Sequence, residues 1–229
     1  MNTILQTALD LTELSRAMQI AREAVLGGTD WIEAGTPLIK SEGMNAVREL
    51  AKEFPNHKII ADLKTSDTGG LEVEMAAKAG ADVVCILASA DDAVILDALR
   101  GAALYGVELM ADMMNVADVA SRARQLADMG VHIINAHVGI DQQMEGKNPL
   151  DILSEISGLG VKVAAAGGLN AETAAAAAAA GAGSGLNVRS GPGSSNEAIA
   201  SLNNGAAVTV LEDAGNGWYK ISFSGMGGK

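Results

Sequence analysis

The run KIIADLKTSD, residues 58–67, passes from strand-forming residues directly into Asp62, Lys64 and Asp67. Similar short apolar runs occur at Ile4–Leu9, Trp31–Ala34, Val83–Leu87, Glu108–Ala111, His132–Ala136 and Lys162–Ala166. Their starts are spaced by roughly 25 to 30 residues, the length of one βα unit. The stretches between them carry helical periodicity, as in Leu14, Ala17, Met18, Ala21 and Val25. Gly80, Gly106, Gly130 and Gly160 precede later strands, where a left-handed helix cap is expected. Strands alternating with helices imply a parallel sheet with right-handed crossovers.

An open doubly-wound sheet and a TIM-type (β/α)8 barrel both satisfy that alternation. The polar residues favour the barrel. Asp10, Glu33, Asp62 with Lys64, Asp112, His137 and the pair Gly167-Gly168 each follow an apolar strand. Barrel enzymes draw their working groups from the C-terminal ends of several strands. Random strand ends would instead carry neutral turn formers.

The eighth unit is missing or replaced. After the helix predicted over Ala171–Ala180 the chain reads Gly183-Ser184-Gly185, a linker composition. Residues 1–182 are therefore assigned to the barrel and 183–229 to a linker and a small all-β segment. Ala207–Leu211 and Trp218–Phe223 read as strands, with Asn203-Asn204-Gly205 and Gly215-Asn216-Gly217 as turns. LNVRSGPG, VTVLED and GWYKI resemble the bacterial SH3-like domain over residues 186–223. Ser224–Lys229 departs from that pattern, which ends in a further strand. Leu186–Arg189 is one candidate for the empty eighth-strand position.

The chain has 229 residues, 48% of them hydrophobic, enough for a sizeable core. A net charge of −12 argues against nucleic-acid and anionic-membrane partners. Cys85, the single cysteine, excludes an intramolecular disulfide and reads as an inert core thiol. No basic and apolar leader opens the chain, and no apolar run reaches the length of a membrane helix. A soluble, cytoplasmic protein is the expectation.

Alternation along the third strand places Asp62 and Lys64 on one face near the barrel mouth, with Glu33 on the neighbouring strand. Two carboxylates and an ammonium there must compensate one another or a cation. Oxygen ligands suit Mg²⁺. A structural ion pair closing the barrel is the plain alternative.

The segments LDL (9–11), IEAGTPLIKSEG (32–43), ADLKTSD (61–67), NAHVGID (135–141) and AAGGLN (165–170) carry a further signal. They resemble the 3-hexulose-6-phosphate synthases of the orotidine 5′-phosphate decarboxylase suprafamily. The 3-keto-L-gulonate 6-phosphate decarboxylases are near relatives. The resemblance runs in collinear order through residues 4–182. It implies Glu33 and Asp62 as metal ligands, and Lys64 as the cation against a developing enediolate oxygen. It implies His137 as the proton-transfer residue, Asp10 as a partner of substrate or Lys64, and Asp112 as a binder of substrate hydroxyls. Asp67 would reach into a partner subunit's site, so a homodimer is implied. Gly167-Gly168 and the Asn170 cap offer backbone N–H groups to a phosphate. In the family the other half of that grip follows the eighth strand.

The implied reaction condenses formaldehyde with ribulose 5-phosphate through a Mg²⁺-stabilised enediolate. Decarboxylation of a 3-keto-gulonate phosphate is the runner-up, and Ile140, where a basic residue would serve it, leans to the synthase. A reading from another class is an inactive barrel whose tail binds cell wall or peptide through Trp218 and Tyr219.

Overall fold

Alternate residues of each central strand are buried against different neighbours, which gives the sheet an apolar layer on both faces. Ile59, Ala61, Val84, Ile86, Leu109 and Ile134 pack into the large core beneath the helices. Their neighbours in sequence, Ile60, Val83, Cys85, Met110 and Ile133, form a second cluster on the opposite face, with Trp31 and Ala164 packed on it. Parallel strands covered on both sides read in this way.

The computed structural model describes residues 3–180, 186–189, 198–202, 208–215 and 218–223. The barrel part runs β1 (Gln6–Leu9), α1 (Leu14–Leu26), β2 (Trp31–Ala34), α2 (Thr36–Glu42), α3 (Asn45–Glu53), β3 (Lys58–Thr65) and α4 (Gly69–Ala79). It continues with β4 (Val83–Leu87), α5 (Asp92–Tyr105), β5 (Glu108–Asp112), α6 (Val119–Met129), β6 (Ile133–His137), α7 (Ile140–Met144), α8 (Pro149–Ile156), β7 (Lys162–Ala166) and α9 (Ala171–Ala179). All seven strands lie in one sheet in sequence order, each parallel to the next. A doubly-wound sheet reverses its strand order partway across. This one does not, so the winding is that of a curled, TIM-type barrel.

Helix ends follow the sequence in part. Gly80, Gly106 and Gly130 cap α4, α5 and α6 in the left-handed region. Gly160 also has positive φ but lies beyond α8, whose cap is Ser157.

The seven-stranded sheet gains no eighth strand among the described residues. Instead β8 (Leu186–Arg189) pairs antiparallel with β9 (Ala198–Leu202), which corrects the placement of Leu186–Arg189 as a replacement eighth strand. Strand β9 has no counterpart in the sequence reading. Strands β10 (Val208–Gly215) and β11 (Trp218–Phe223) form a second antiparallel pair. Linker residues 183–185 and the ending 224–229 lie outside the described residues. Among the described residues, no helix is long and apolar enough to cross a membrane.

Candidate active site

The inner face of the sheet changes character along the strands. At the N-terminal end, Lys58 and Lys162 both pair with Glu108, and Lys58 Nζ lies 5.2 Å from the Trp31 ring centroid. The apolar cluster around Ile60 follows. Beyond it, at the C-terminal end, short contacts join Asp62, Lys64, Asp112 and His137, and Glu33 feels the Asp62 charge.

Strand β3 reaches this end through a bulge. Asp62 pairs in register with Cys85, but the next pair is Thr65 with Ile86, so Leu63 and Lys64 are extra residues. Lys64 takes φ 48°, a left-handed conformation that side chains rarely adopt. The bulge re-aims its side chain. Lys64 and Asp62 thus meet as expected, but by a bulge rather than by plain alternation.

The Lys64 ammonium bridges two carboxylates, with Nζ 2.7 Å from Asp62 Oδ2 and 3.1 Å from Asp112 Oδ2. Burial opposes its charge, yet Asp62 and Asp112 outweigh that and raise its pKa. Asp112 Oδ2 also lies 2.7 Å from His137 Nδ1, and Met114 N–H donates to Oδ1 at 2.9 Å. Burial alone would raise the Asp112 pKa, but His137 and Lys64 hold it below its ordinary value. An ionised Asp112 only accepts, so Nδ1 of His137 carries the proton and Nε2 is left for chemistry. A cavity of about 190 Å³ opens beside His137, lined also by Met113, Asn115, Gln142 and Lys147.

Glu33 accepts from Gln6 Nε2. Burial, reinforced by the Asp62 charge, pushes its carboxyl up to about 8. Asp62 is 5% exposed, and its Oδ1 has no hydrogen-bond partner among the described residues. An orphaned carboxylate oxygen and a carboxyl driven toward its neutral form are the marks of a site that a cation would complete. Ligand atoms of Asp62, Cys85 and Asp112 also lie within 4.8 Å of one another. The Cys85 thiol is 2% exposed, and burial with the two carboxylates pushes its pKa well up, which agrees with an unreactive core thiol.

Asp10 stands at the rim, where burial and the Asp62 charge raise its pKa while Lys64 and His137 lower it. A Cβ at Gly35 would overlap Asp10 Oδ1 and lie 2.8 Å from Leu9 O, so the close approach needs glycine. Asp67 is not brought to this cluster: it is exposed and accepts from Thr68 N–H at 2.8 Å. Gly167 and Gly168 have φ 98° and 68°, and a Cβ on Gly167 would overlap Val138 O. Asn170 Oδ1 accepts from Thr173 N–H at 2.9 Å, the expected helix cap. Arg189 lies on β8, in the separate two-stranded sheet.

Three residues escaped the sequence reading. Thr36 Oγ1 lies 2.8 Å from both Asp62 O and Asp62 Oδ2, and so fixes the carboxylate. Its signal was available, since Thr36 follows β2 after a single residue, Gly35. Gln6 opens β1 beside Thr7 and Asn135 sits within β6, and a polar residue at either place carries no distinctive pattern.

The profile of the "Orotidine 5'-phosphate decarboxylase / HUMPS family" matches residues 3–190, and that of the "Bacterial SH3 domain" matches residues 184–228. The 3-hexulose-6-phosphate synthase of Bacillus subtilis (strain 168) is 40% identical over 171 residues, 74% of this chain and 81% of the relative. A solved 3-hexulose-6-phosphate synthase superposes with TM-score 0.74 at 36% identity, over 78% of this chain and 86% of that one. The 3-keto-L-gulonate-6-phosphate decarboxylase from Vibrio cholerae gives TM-score 0.67 at 31% identity, over 76% and 82%.

Proposed function

Because this chain belongs to the orotidine 5′-phosphate decarboxylase / HUMPS family of lyase-type barrels, we propose that it condenses formaldehyde with ribulose 5-phosphate. The observation that carries this reading is the Lys64 ammonium held between Asp62 and Asp112 with His137 on the same carboxylate.

A proton leaves the carbon beside the substrate carbonyl, and negative charge gathers on the carbonyl oxygen. Lys64 supplies preorganised positive charge there, which stabilises the enediolate relative to the ground state. His137 exchanges protons through Nε2 while Asp112 fixes its ring. The enediolate carbon then attacks formaldehyde, a C–C bond forms, and the aldehyde oxygen takes up a proton to give 3-hexulose 6-phosphate. Glu33 and Asp62 would hold Mg²⁺, which when bound adds a Lewis acid at the developing oxyanion. Gly167-Gly168 and the N-terminus of α9 serve the phosphate.

Asp67 serves a second subunit in a homodimer. Its exposure supports this, as do Leu71 and Met75, which leave an apolar strip 56% and 47% exposed on the adjoining α4. Ile140, 71% exposed on α7, supports the synthase over the decarboxylase, since it offers no charge to a second anionic group.

Formaldehyde consumption with ribulose 5-phosphate, measured with Mg²⁺ and then with EDTA, tests the reading. Magnesium-dependent consumption is expected. Release of CO₂ from a 3-keto-gulonate phosphate without formaldehyde consumption would make it a decarboxylase. Retention on peptidoglycan without either turnover would favour the binding module.

A further inference from the structure

Asn135 stands on β6 between Ile133 and His137, and alternation places all three on the inner face of the sheet. It pairs in register with Asp112 on β5 and with Ala164 on β7. The residue is 6% exposed, and its Oδ1 is enclosed with no hydrogen-bond partner among the described residues. A buried amide oxygen without a partner costs stability, and such groups in folded proteins are nearly always answered.

The described residues around it show why it is left open. His137 Nδ1 is turned to Asp112, and the Lys64 ammonium lies between Asp62 and Asp112. Strand β7 presents Ala164 and Ala166 on that face, and neither side chain has a polar atom. The amide is therefore level with Asp112 and one step deeper than His137, at the floor of the site. A phosphate or carbonyl oxygen only accepts and would leave Oδ1 bare. A hydroxyl both donates and accepts, so it satisfies the amide whichever end is turned inward.

We infer that Asn135 is a substrate-binding residue that accepts a hydrogen bond from a hydroxyl of the open-chain sugar phosphate. This rests on the sugar-phosphate reading above and adds a contact which that reading does not supply. It also gives the site a means of selecting a hydroxylated chain over a deoxy analogue, because a deoxy substrate leaves the amide unpaired.

Asn135→Leu tests the inference, since leucine keeps the branching and the number of side-chain heavy atoms while removing both polar ends. In the full chain, the ligand-free melting temperature should stay level or rise, because a bare buried group is gone. KM for ribulose 5-phosphate should rise about tenfold with kcat within a fewfold, the pattern of lost uniform binding. A raised melting temperature with unchanged KM would mean that the bare amide has no part in binding, and a lowered one with unchanged KM that the fold or bound water answers it. Either result overturns the inference. Should the wild-type chain consume no formaldehyde, the reaction is misassigned, and calorimetric binding of ribulose 5-phosphate replaces KM. Binding about tenfold weaker in the variant then supports Asn135, and equal or absent binding overturns it.

Discussion

Lys64 Nζ lies 2.7 Å from Asp62 Oδ2, although one residue separates the two and Lys64 holds a backbone φ of 48°. A bulge with a strained residue at its tip sets this contact, and such strain persists only where the surroundings over-determine it. Here the surroundings are Asp62, 8% exposed at its side chain, and Asp112 at 1%. A buried pair of this kind costs desolvation and is weak evidence for stability. Its placement at the mouth of the sheet is better explained by chemistry.

Lys64→Ala should therefore cost on the order of a thousandfold in kcat. It also leaves two buried carboxylates without their cation, so a lower melting temperature should accompany the loss. Turnover of the purified, folded variant against the wild type decides this. A drop of only a fewfold would reduce Lys64 to a structural counter-ion.

Asp62→Ala should abolish both turnover and the thermal stabilisation that Mg²⁺ confers, since the orphaned Oδ1 is the oxygen that a cation would take. Thr36→Val, nearly equal in volume, removes only the hydroxyl 2.8 Å from Asp62 Oδ2. It should keep magnesium dependence while losing about tenfold in activity, equivalent to about one hydrogen bond. Differential scanning with and without Mg²⁺ separates the two variants.

Glu33 supplies the pH dependence. Burial and the Asp62 charge raise its carboxyl from 4.5 to about 8, so between those values the folded chain keeps a proton that the unfolded chain has released. Stability from this group is complete below about 4.5 and is lost as pH rises through about 8. In EDTA the melting temperature of the wild type should fall across that interval, and Glu33→Gln should remove this component. Stabilisation by Mg²⁺ should grow over the same interval, because a carboxylate ligand must give up its proton. A magnesium effect that is flat with pH would remove Glu33 from the ligand set.

The sequence made the strands, the ionisable groups at their ends and the break after the seventh unit legible, because these depend on local pattern. Val83-Val84-Cys85-Ile86 reads as a strand buried on both faces, and KIIAD announces a charge at its end. Long-range register was not legible. The bulge at Leu63-Lys64 exists because Thr65 pairs with Ile86, a relation between two strands that no local period records. The β8–β9 pairing likewise rests on Ala198–Leu202, a run too small in its side chains to announce a strand. Thr36 was within reach of the same rule that found Asp62. Asn135 was not, since only its burial sets it apart from a surface asparagine.

His137 and Asp112 should behave as one unit. Asp112→Asn keeps the shape but removes the ionised acceptor 2.7 Å from Nδ1, so the ring loses its fixed tautomer. Each single variant, Asp112→Asn or His137→Gln, should lose roughly a hundredfold to ten-thousandfold in kcat. The double variant should lose little more than the worse single one, because coupled groups are not additive. Multiplicative losses would show that the two act independently.

Asp67 makes the dimer testable through activity. Asp67 is exposed, and among the described residues its carboxylate accepts from Thr68 N–H and from no group of the Lys64 cluster. If it completes the site of a second subunit, Asp67→Ala and Lys64→Ala are each inactive as homodimers, yet a mixed dimer contains one intact site. Exchanging subunits between equal amounts of the two variants makes about half of the dimers mixed, and should restore about a quarter of wild-type activity. Sedimentation of the same mixture shows whether dimers form at all. Dimers that exchange but stay inactive would place Asp67 in its own subunit's site, and a chain that sediments as a monomer with full activity would remove the shared site altogether.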